Sequence, residues 1–329
     1  MLPLLRARGE ELLSLYRRAD AVRRQFCGEA VPVRAILEFS NHCANDCLYC
    51  GIRASNPRPA RYRMSTDEIL AAARQIAEAG LAGTIVLQAG ETPGTADAEI
   101  EDLLRRIKSE CPGLAITLSL GNRPRDVLAR WRKAGMDRYL LRFETSDARE
   151  FGRLHPACTL AERLQSLRDL KDLGVQTGSG FMIGLPGERL ETLADNIRLC
   201  RELDLDMIGI GPFIPHPDTP LGDQPNAWAD DPDMFFRAIA VLRLVNPDAH
   251  IPATTAFDAL RPDGRNLALQ RGANVIMPDF TPEPYRSQYQ IYPGKSSAAT
   301  TDAGQGIERL IRQLGRTVGI GPGGRQSRS

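Results

Sequence analysis

Short apolar runs alternate with longer amphipathic segments along most of the chain. Over residues 33–277 this alternation is typical of repeated βα units around a parallel sheet. The pattern predicts eight strands, at 33–39, 84–88, 115–120, 138–143, 177–183, 207–210, 250–254 and 274–277. Eight parallel strands, each followed by a helix, close into a barrel. The sequence therefore predicts an α/β protein folded as a (βα)8 TIM-type barrel.

Two of the intervening helices have ends that the sequence marks clearly. Ser65 can cap the first of them while Glu68 reaches back in a capping box, and Gly80 follows its last apolar position. The second is predicted to begin in the loop after Gly187, and its apolar stripe would pack on the barrel.

The two ends of the chain have a different character. Residues 1–30 are predicted to form a helical extension, and their charged residues interrupt any apolar stretch of about 20 residues that could serve as a membrane span. Residues 31–300 are assigned to the barrel and 301–316 to a C-terminal helix. The glycine-rich residues 317–329 lack apolar positions to bury and are predicted to be disordered.

Charge and cysteine content narrow the possible partners. The 42 basic residues nearly balance the 41 acidic ones, and no run of one sign suggests a nucleic-acid surface. A small-molecule substrate is therefore expected, with no membrane partner. Seven cysteines in a chain without a secretory signal favour a reduced, cytoplasmic location over a disulfide framework. Four of them are isolated and are expected to be buried thiols, namely Cys27, Cys111, Cys158 and Cys200.

The other three cysteines are clustered directly after the first predicted strand. Cys43, Cys47 and Cys50 would lie on a loop at the C-terminal face, where barrel enzymes keep their active sites. Thiolates are the usual ligands of iron–sulfur clusters, and three of them leave one iron of a [4Fe-4S] cluster open. The alternative is a structural zinc site, which normally needs a fourth Cys or His ligand at defined spacing. Because His42 adjoins Cys43, it is a poor simultaneous ligand.

The C-x3-C-x2-C spacing, with Tyr49 just before the last cysteine, resembles the signature of the radical S-adenosylmethionine (SAM) superfamily. This resemblance implies that Cys43, Cys47 and Cys50 bind a [4Fe-4S] cluster as catalytic metal ligands and that Tyr49 lies near the adenine of SAM. It further implies that an external electron donor reduces the cluster, which cleaves SAM to methionine and a 5′-deoxyadenosyl radical.

Later loops agree with this resemblance. Residues 88–91 look like a variant of the superfamily's Gly-Gly-Glu motif, which implies SAM contacts for Gln88, Gly90 and Glu91. Residues 180–188 are similar to its glycine-rich adenine-supporting stretch, which implies contacts for Met182 and Gly184, although a bare glycine loop is more often a turn. Arg142 and Glu144 share one side of the fourth strand, where a plain salt bridge at the barrel rim is the alternative.

A narrower resemblance covers about residues 34–295. Phrases such as Gly209-Ile210-Gly211-Pro212-Phe213-Ile214-Pro215-His216-Pro217 resemble the HydE family of [FeFe]-hydrogenase maturases, with biotin synthase and methylornithine synthase as relatives. The resemblance implies that Glu144 and Arg163 contact SAM. It also implies a cavity for a carboxylate-bearing, amino-acid-like or iron-cysteine substrate, lined by Thr117, Ser119, Arg142, Thr254, Thr255 and Tyr285. Other hydrogenase maturases would then be partners. For Thr117 or Tyr285 alone, core packing is the simpler interpretation.

Two departures from the family keep other functions open. Phe143 stands where the family has His, and the stretch 295–324 lacks the three cysteines that many members use for a second cluster. A methylornithine-synthase-like mutase acting on another amino acid is therefore the alternative enzyme. A non-catalytic iron–sulfur protein is the alternative of a different class, although such proteins usually ligate every iron with cysteine.

Overall fold

Every one of the eight predicted segments contains a strand in the computed structural model, which describes residues 1–92, 97–295 and 303–325, the side chains of 303–305 excepted. The strands are β1 Ala30–Val31, β2 Arg34–Ser40, β3 Thr84–Ala89, β4 Ala115–Ser119, β5 Arg138–Leu140, β6 Gln176–Ser179, β7 Met182–Ile183, β8 Met207–Ile208, β9 Gly211–Pro212, β10 Pro252–Ala253, β11 Val275–Ile276 and β12 Thr317–Val318.

Helices connect these strands and cover the outside of the sheet. They are α1 Leu2–Leu5, α2 Gly9–Cys27, α3 Thr66–Ala79, α4 Asp97–Glu110, α5 Arg125–Ala134, α6 Ala148–Leu154, α7 Leu160–Asp172, α8 Leu190–Glu202, α9 Asp233–Val245, α10 Ala256–Leu260, α11 Gly264–Gln270, α12 Tyr285–Gln288 and α13 Ala303–Gln313. The predicted capping box is confirmed, since Ser65 and Glu68 cap each other's backbone at the start of α3.

The barrel closes through parallel pairing alone. Strands β2, β3, β4, β5, β6 and β8 form one parallel sheet in that order, and β10 pairs with β11. Parallel bridges complete the circle, from Met207 to His250 on one side and from Val33 to Ile276 and Ile36 to Asp279 on the other. The predicted (βα)8 architecture is therefore confirmed, with its first and last strands joined at the seam.

Several predicted strands are shorter than expected, and in two of them the chain turns inward. Gly180 interrupts the segment 177–183 with a φ of 150°, and a Cβ there would overlap the Gly209 carbonyl. The segment 138–143 leaves regular pairing after Leu140, and the amides of Phe143 and Glu144 both donate to Gly180 O at 3.0 Å. The chain is thereby bent over the mouth of the barrel, where side chains can point into the interior.

The N-terminal extension consists of α1 and α2, which pack against α9 on the outside of the barrel. Strand β1 follows α2 and lies beneath the barrel rather than within its wall. Among the helices of the described residues, none combines the length and apolarity that crossing a bilayer requires.

The C-terminal segment differs from the predicted disorder of 317–329. Residues 317–318 pair with β1, and the carbonyls that follow cover buried arginines under the barrel. Arg138 Nη2 donates to Pro322 O at 2.8 Å, and Arg34 Nη2 donates to Gly323 O at 3.1 Å. Because buried guanidinium groups need acceptors, these contacts hold a segment with few apolar residues. Residues 296–302 and 326–329 lie outside the described residues.

Candidate functional site

A cavity of about 360 Å³ opens at the C-terminal ends of the barrel strands. Most of the residues predicted to form the site line this one cavity, namely Cys43, Cys47, Tyr49, Cys50, Gln88, Gly90, Glu91, Ser119, Arg142, Glu144, Arg163, Met182, Thr254 and Thr255. These residues come from six loops or strand ends and from helix α7, which carries Arg163, so the barrel topology brings them together. This is the face at which barrel enzymes place their active sites.

The cysteine loop is held by backbone contacts with neighbouring loops. The Ala44 amide donates to Glu91 O at 2.7 Å, and the Gly51 amide donates to Ile291 O at 3.1 Å. Glycine is required at position 90, because a Cβ there would overlap the His42 carbonyl and lie 2.7 Å from Cys43 Cβ. The predicted SAM motif at residues 88–91 therefore packs directly against the cysteine loop.

The donor chemistry of the three half-buried, free thiols fits an iron–sulfur cluster. Burial raises the pKa of the Cys50 thiol to about 12. It also raises the pKa of Cys47 well above its ordinary value, and repulsion from Cys50 and Cys43 adds to that increase. Three thiolates in this position therefore need compensating positive charge, which a cationic metal centre supplies.

A single zinc ion fits the site less well than a cluster does. Among the described residues, no three Cys, His, Asp or Glu side chains form a group that could hold one metal ion. A structural zinc site needs four ligands converging on one centre, whereas each thiolate of a [4Fe-4S] cluster binds its own iron. The geometry therefore disfavours the zinc alternative.

Glu144 occupies the cavity wall in an unusual backbone conformation. Its φ is 60°, which non-glycine residues rarely adopt away from functional sites, and its side chain is buried. Arg142 Nη2 lies 2.9 Å from Glu144 Oε2, and Arg163 lies near enough to favour the ionised carboxylate. Burial nevertheless raises the pKa of Glu144 above its ordinary value. The Glu144 carboxylate thus lies beside two guanidinium groups.

Thr254 and Thr255 lie at the end of β10 and line the same cavity as Arg142. The Thr254 hydroxyl donates to Ile210 O at 3.3 Å, and the Thr255 hydroxyl is 2.8 Å from the Tyr292 hydroxyl. The two hydroxyls are thus fixed by the surrounding chain. When the Thr254 proton turns from Ile210 O to a ligand, the two hydroxyls and a guanidinium form a donor set that suits a carboxylate.

Three residues predicted for the site, Gly184 for SAM and Thr117 and Tyr285 for the substrate, are not among those that line this cavity. Thr117 is buried on β4, two residues below Ser119 and therefore one layer deeper on the same side of the strand. Tyr285 begins α12 and donates to Glu68 Oε1 at 2.6 Å. Gly184 has a φ of 88°, and its missing Cβ leaves room for the Asn226 side chain behind the cavity wall.

Sequence reasoning missed a buried ionic group in the cavity. Lys295 Nζ lies 2.5 Å from Glu38 Oε1 and 3.2 Å from Asp279 Oδ2, and all three side chains are buried. Burial raises the pKa of Glu38 to about 8, although Lys295 opposes the shift. The signal for Glu38 was its inward position between Ile36 and Ser40 on the first strand. Lys295 belongs to no sequence motif, so nothing in the sequence pointed to it.

Phe143, the predicted departure in the site, does not line the cavity. Its side chain is completely buried and stacks on Phe181, with ring centroids 5.9 Å apart. Arg142 and Glu144 line the cavity on either side of Phe143, whose ring packs on Phe181 instead. Phe143 therefore contributes to the packing behind the wall and adds no polar group to the cavity.

Known proteins resemble the chain in sequence and in fold. Residues 37–200 match the Radical SAM superfamily. The chain is 45% identical over 315 residues to the [FeFe] hydrogenase maturase subunit HydE of Thermotoga maritima, covering 95% of this chain and 89% of that protein. It is 28% identical to biotin synthase of Streptomyces avermitilis, over 85% of this chain and 72% of that protein. The crystal structure of methylornithine synthase (PylB) superposes with a TM-score of 0.84 at 26% identity, covering 96% and 92% of the two chains.

Proposed function

The chain belongs to the radical SAM superfamily and, within it, to the family of the HydE maturase. On this premise we propose that it is a radical SAM enzyme of [FeFe]-hydrogenase maturation, acting on a small carboxylate-bearing substrate inside the barrel. The observation that carries the proposal is the similarity to HydE over nearly the whole chain. The gathering of the cysteine loop, the acidic and basic groups and the threonines around one cavity supports it.

Enzymes of this superfamily bind a [4Fe-4S] cluster and SAM. In our proposal Cys43, Cys47 and Cys50 hold the cluster, which when reduced supplies the electron that splits SAM into methionine and a 5′-deoxyadenosyl radical. Burial in the barrel mouth keeps water away from the reacting atoms.

The remaining cavity residues divide between cofactor and substrate. We assign Glu144 and Arg163 to the polar groups of SAM, and residues 88–91 and Met182 to the walls around it. Arg142, Thr254 and Thr255 are assigned to the substrate carboxylate, with Ser119 beside them. Binding by several fixed donors orients the substrate for reaction, which lowers the entropic part of the barrier.

The alternative of a mutase outside hydrogenase maturation rested on Phe143. Since that ring stacks on Phe181 behind the wall, it gives the cavity no altered polar group. The non-catalytic alternative requires no organised cavity, whereas here charged side chains converge beside the cysteine loop. The first observation removes the ground for a mutase, and the second favours an enzyme.

The proposal includes a cellular setting. We place the enzyme in the cytoplasm, where free thiols such as all seven cysteines here persist, with an external electron donor and other hydrogenase maturases as partners.

The test is hydrogenase maturation with purified components. The chain, reconstituted with iron and sulfide, replaces HydE in an assembly reaction that contains the other maturases and apo-hydrogenase, and hydrogen production is measured. We expect activation comparable to that with Thermotoga maritima HydE, and none with Cys47→Ala. Active SAM cleavage without hydrogenase activation would contradict the maturase proposal. The appearance of 3-methylornithine would establish the mutase instead.

A further inference from the structure

His155 connects the end of α6 to the cysteine loop through the side chain of Tyr49. It is the C-cap residue of α6, it is buried, and it lines the cavity. Its Nε2 atom lies 2.9 Å from the Tyr49 hydroxyl, and the two rings meet edge to face with centroids 5.6 Å apart. None of the motifs in the sequence includes His155.

The hydrogen bonds of His155 determine which nitrogen carries the proton. Nδ1 lies 3.1 Å from Phe151 O, and a carbonyl oxygen can only accept, so Nδ1 must donate. In the neutral ring Nε2 is then an acceptor, and the Tyr49 hydroxyl donates to it. Burial and the nearby Arg163 lower the pKa of His155 to about 4, which keeps the ring neutral at physiological pH. Both ring nitrogens are therefore engaged, and no polar atom of the imidazole is left for a ligand.

The imidazole is itself held rigidly. The Phe151 ring stacks on it with centroids 4.3 Å apart, and the Arg163 guanidinium lies 5.8 Å from the Phe151 ring. The adjoining residue provides a second contact, because the Leu48 amide donates to Leu154 O at 3.1 Å. The end of α6 thus holds the cysteine loop at two successive residues, once through the backbone and once through the Tyr49 ring.

We propose that His155 is a positioning residue for SAM that acts through Tyr49. By accepting the Tyr49 hydroxyl proton, it fixes the plane of the phenol ring at the cavity wall, where that ring is assigned to the adenine of SAM. The inference rests on the proposed assignment of Tyr49 to the cofactor site. It adds a residue that holds the Tyr49 ring through its hydroxyl group.

The test is a double-mutant cycle on SAM affinity in the reconstituted full-length protein. SAM dissociation constants are measured by titration for wild type, His155→Phe, Tyr49→Phe and the double variant. We expect His155→Phe to weaken SAM binding by about three- to tenfold, the equivalent of one hydrogen bond. In the Tyr49→Phe background the same substitution should have no further effect.

His155→Gln serves as the conservative variant, because its amide oxygen can accept the Tyr49 hydroxyl. We expect it to recover most of the lost affinity, with iron and sulfide content equal to wild type in every variant. An equal loss of affinity with and without the Tyr49 hydroxyl would overturn the proposal, as would unchanged affinity in His155→Phe. If His155→Phe fails to retain the cluster, the Gln variant decides, and no recovery with a full cluster overturns the proposal.

These titrations contain neither hydrogenase nor the maturation substrate. Failure of hydrogenase activation would refute the proposed function and leave the coupling between His155 and Tyr49 measurable. Absence of any SAM binding by the wild-type protein would refute the function and the inference together, whereas uncoupled substitutions with normal activation would refute only the inference.

Discussion

Arg142 and Glu144 form an ion pair across the backbone of Phe143, with Arg142 Nη2 and Nε lying 2.9 Å and 3.1 Å from Glu144 Oε2. Both side chains line the cavity, although the chain has left regular strand pairing after Leu140. The left-handed conformation of Glu144 then aims its carboxylate at the arginine. A change at either residue should therefore affect the other, which would couple their proposed roles in SAM and substrate binding.

Glu144→Gln should weaken SAM binding by on the order of 1.5 to 3 kcal/mol, because a buried carboxylate loses a charge-assisted contact with the cofactor. Isothermal titration with SAM measures the effect, and the iron content of the variant should equal that of wild type. Unchanged SAM affinity with a complete cluster would show that the Glu144 carboxylate does not contribute to SAM binding.

Arg142→Leu tests whether SAM binding and substrate binding can be lost separately. If Arg142 served only the substrate carboxylate, SAM affinity and uncoupled SAM cleavage would persist in the variant. Because its guanidinium is paired with Glu144, we expect SAM binding to fall as well, through loss of the neighbour that holds the Glu144 carboxylate in place. SAM titration and product analysis are compared in the same preparation. Wild-type SAM affinity together with lost substrate turnover would show that the loss of Arg142 does not disturb SAM binding by Glu144.

Cys47→Ala should abolish both the [4Fe-4S] cluster and SAM cleavage, since only three clustered thiols are available. Iron and sulfide analysis and electron paramagnetic resonance of the reduced protein measure the first effect, and 5′-deoxyadenosine formation measures the second. Cys27→Ala, at the end of α2, should retain both. A second iron–sulfur cluster bound to the wild-type chain would contradict this ligand count.

Glu38 should make the fold more stable at mildly acidic pH. Burial raises its pKa from 4.5 to about 8, so between these values the folded protein binds more protons at this group than the unfolded chain does. The free energy of unfolding should therefore fall as the pH rises from about 5 to 8. In Glu38→Gln, the free energy of unfolding measured by denaturant titration should change less with pH across this window. Glu202→Gln, at the exposed end of α8, should keep the wild-type pH dependence of the free energy of unfolding.

Gly83→Ala tests the contact between the C-terminal segment and the bottom of the barrel. A Cβ at Gly83 would overlap the Gly321 carbonyl, whereas one at Gly113 would meet nothing within 4 Å. We expect Gly83→Ala to lower the free energy of unfolding by about 1 to 3 kcal/mol and Gly113→Ala to change it by less than about 0.5 kcal/mol. Equal effects of the two substitutions would show that the segment does not depend on this contact.

The features that the sequence predicted correctly depend on short-range patterns. Strands were found from their apolar runs, the start of α3 from Ser65 and Glu68, and the cysteine loop from its spacing. Lys295 was missed because it meets Glu38 across 257 residues, a contact that no local pattern encodes. Tyr285 was predicted in the cavity from the resemblance alone. The identity of a residue does not say which way the loop that carries it turns. The C-terminal segment was misjudged because its contacts use backbone carbonyls, which every residue has.

The pairing of β1 with β12 has a consequence for the order in which the protein can be made. Residues 30–31 leave the ribosome long before residues 317–318, yet the two segments are adjacent in the finished fold. Arg34 and Arg138 also donate hydrogen bonds to carbonyl oxygens of residues 322–323, which are made later. The native base of the barrel can therefore form only after residues 317–323 have been made.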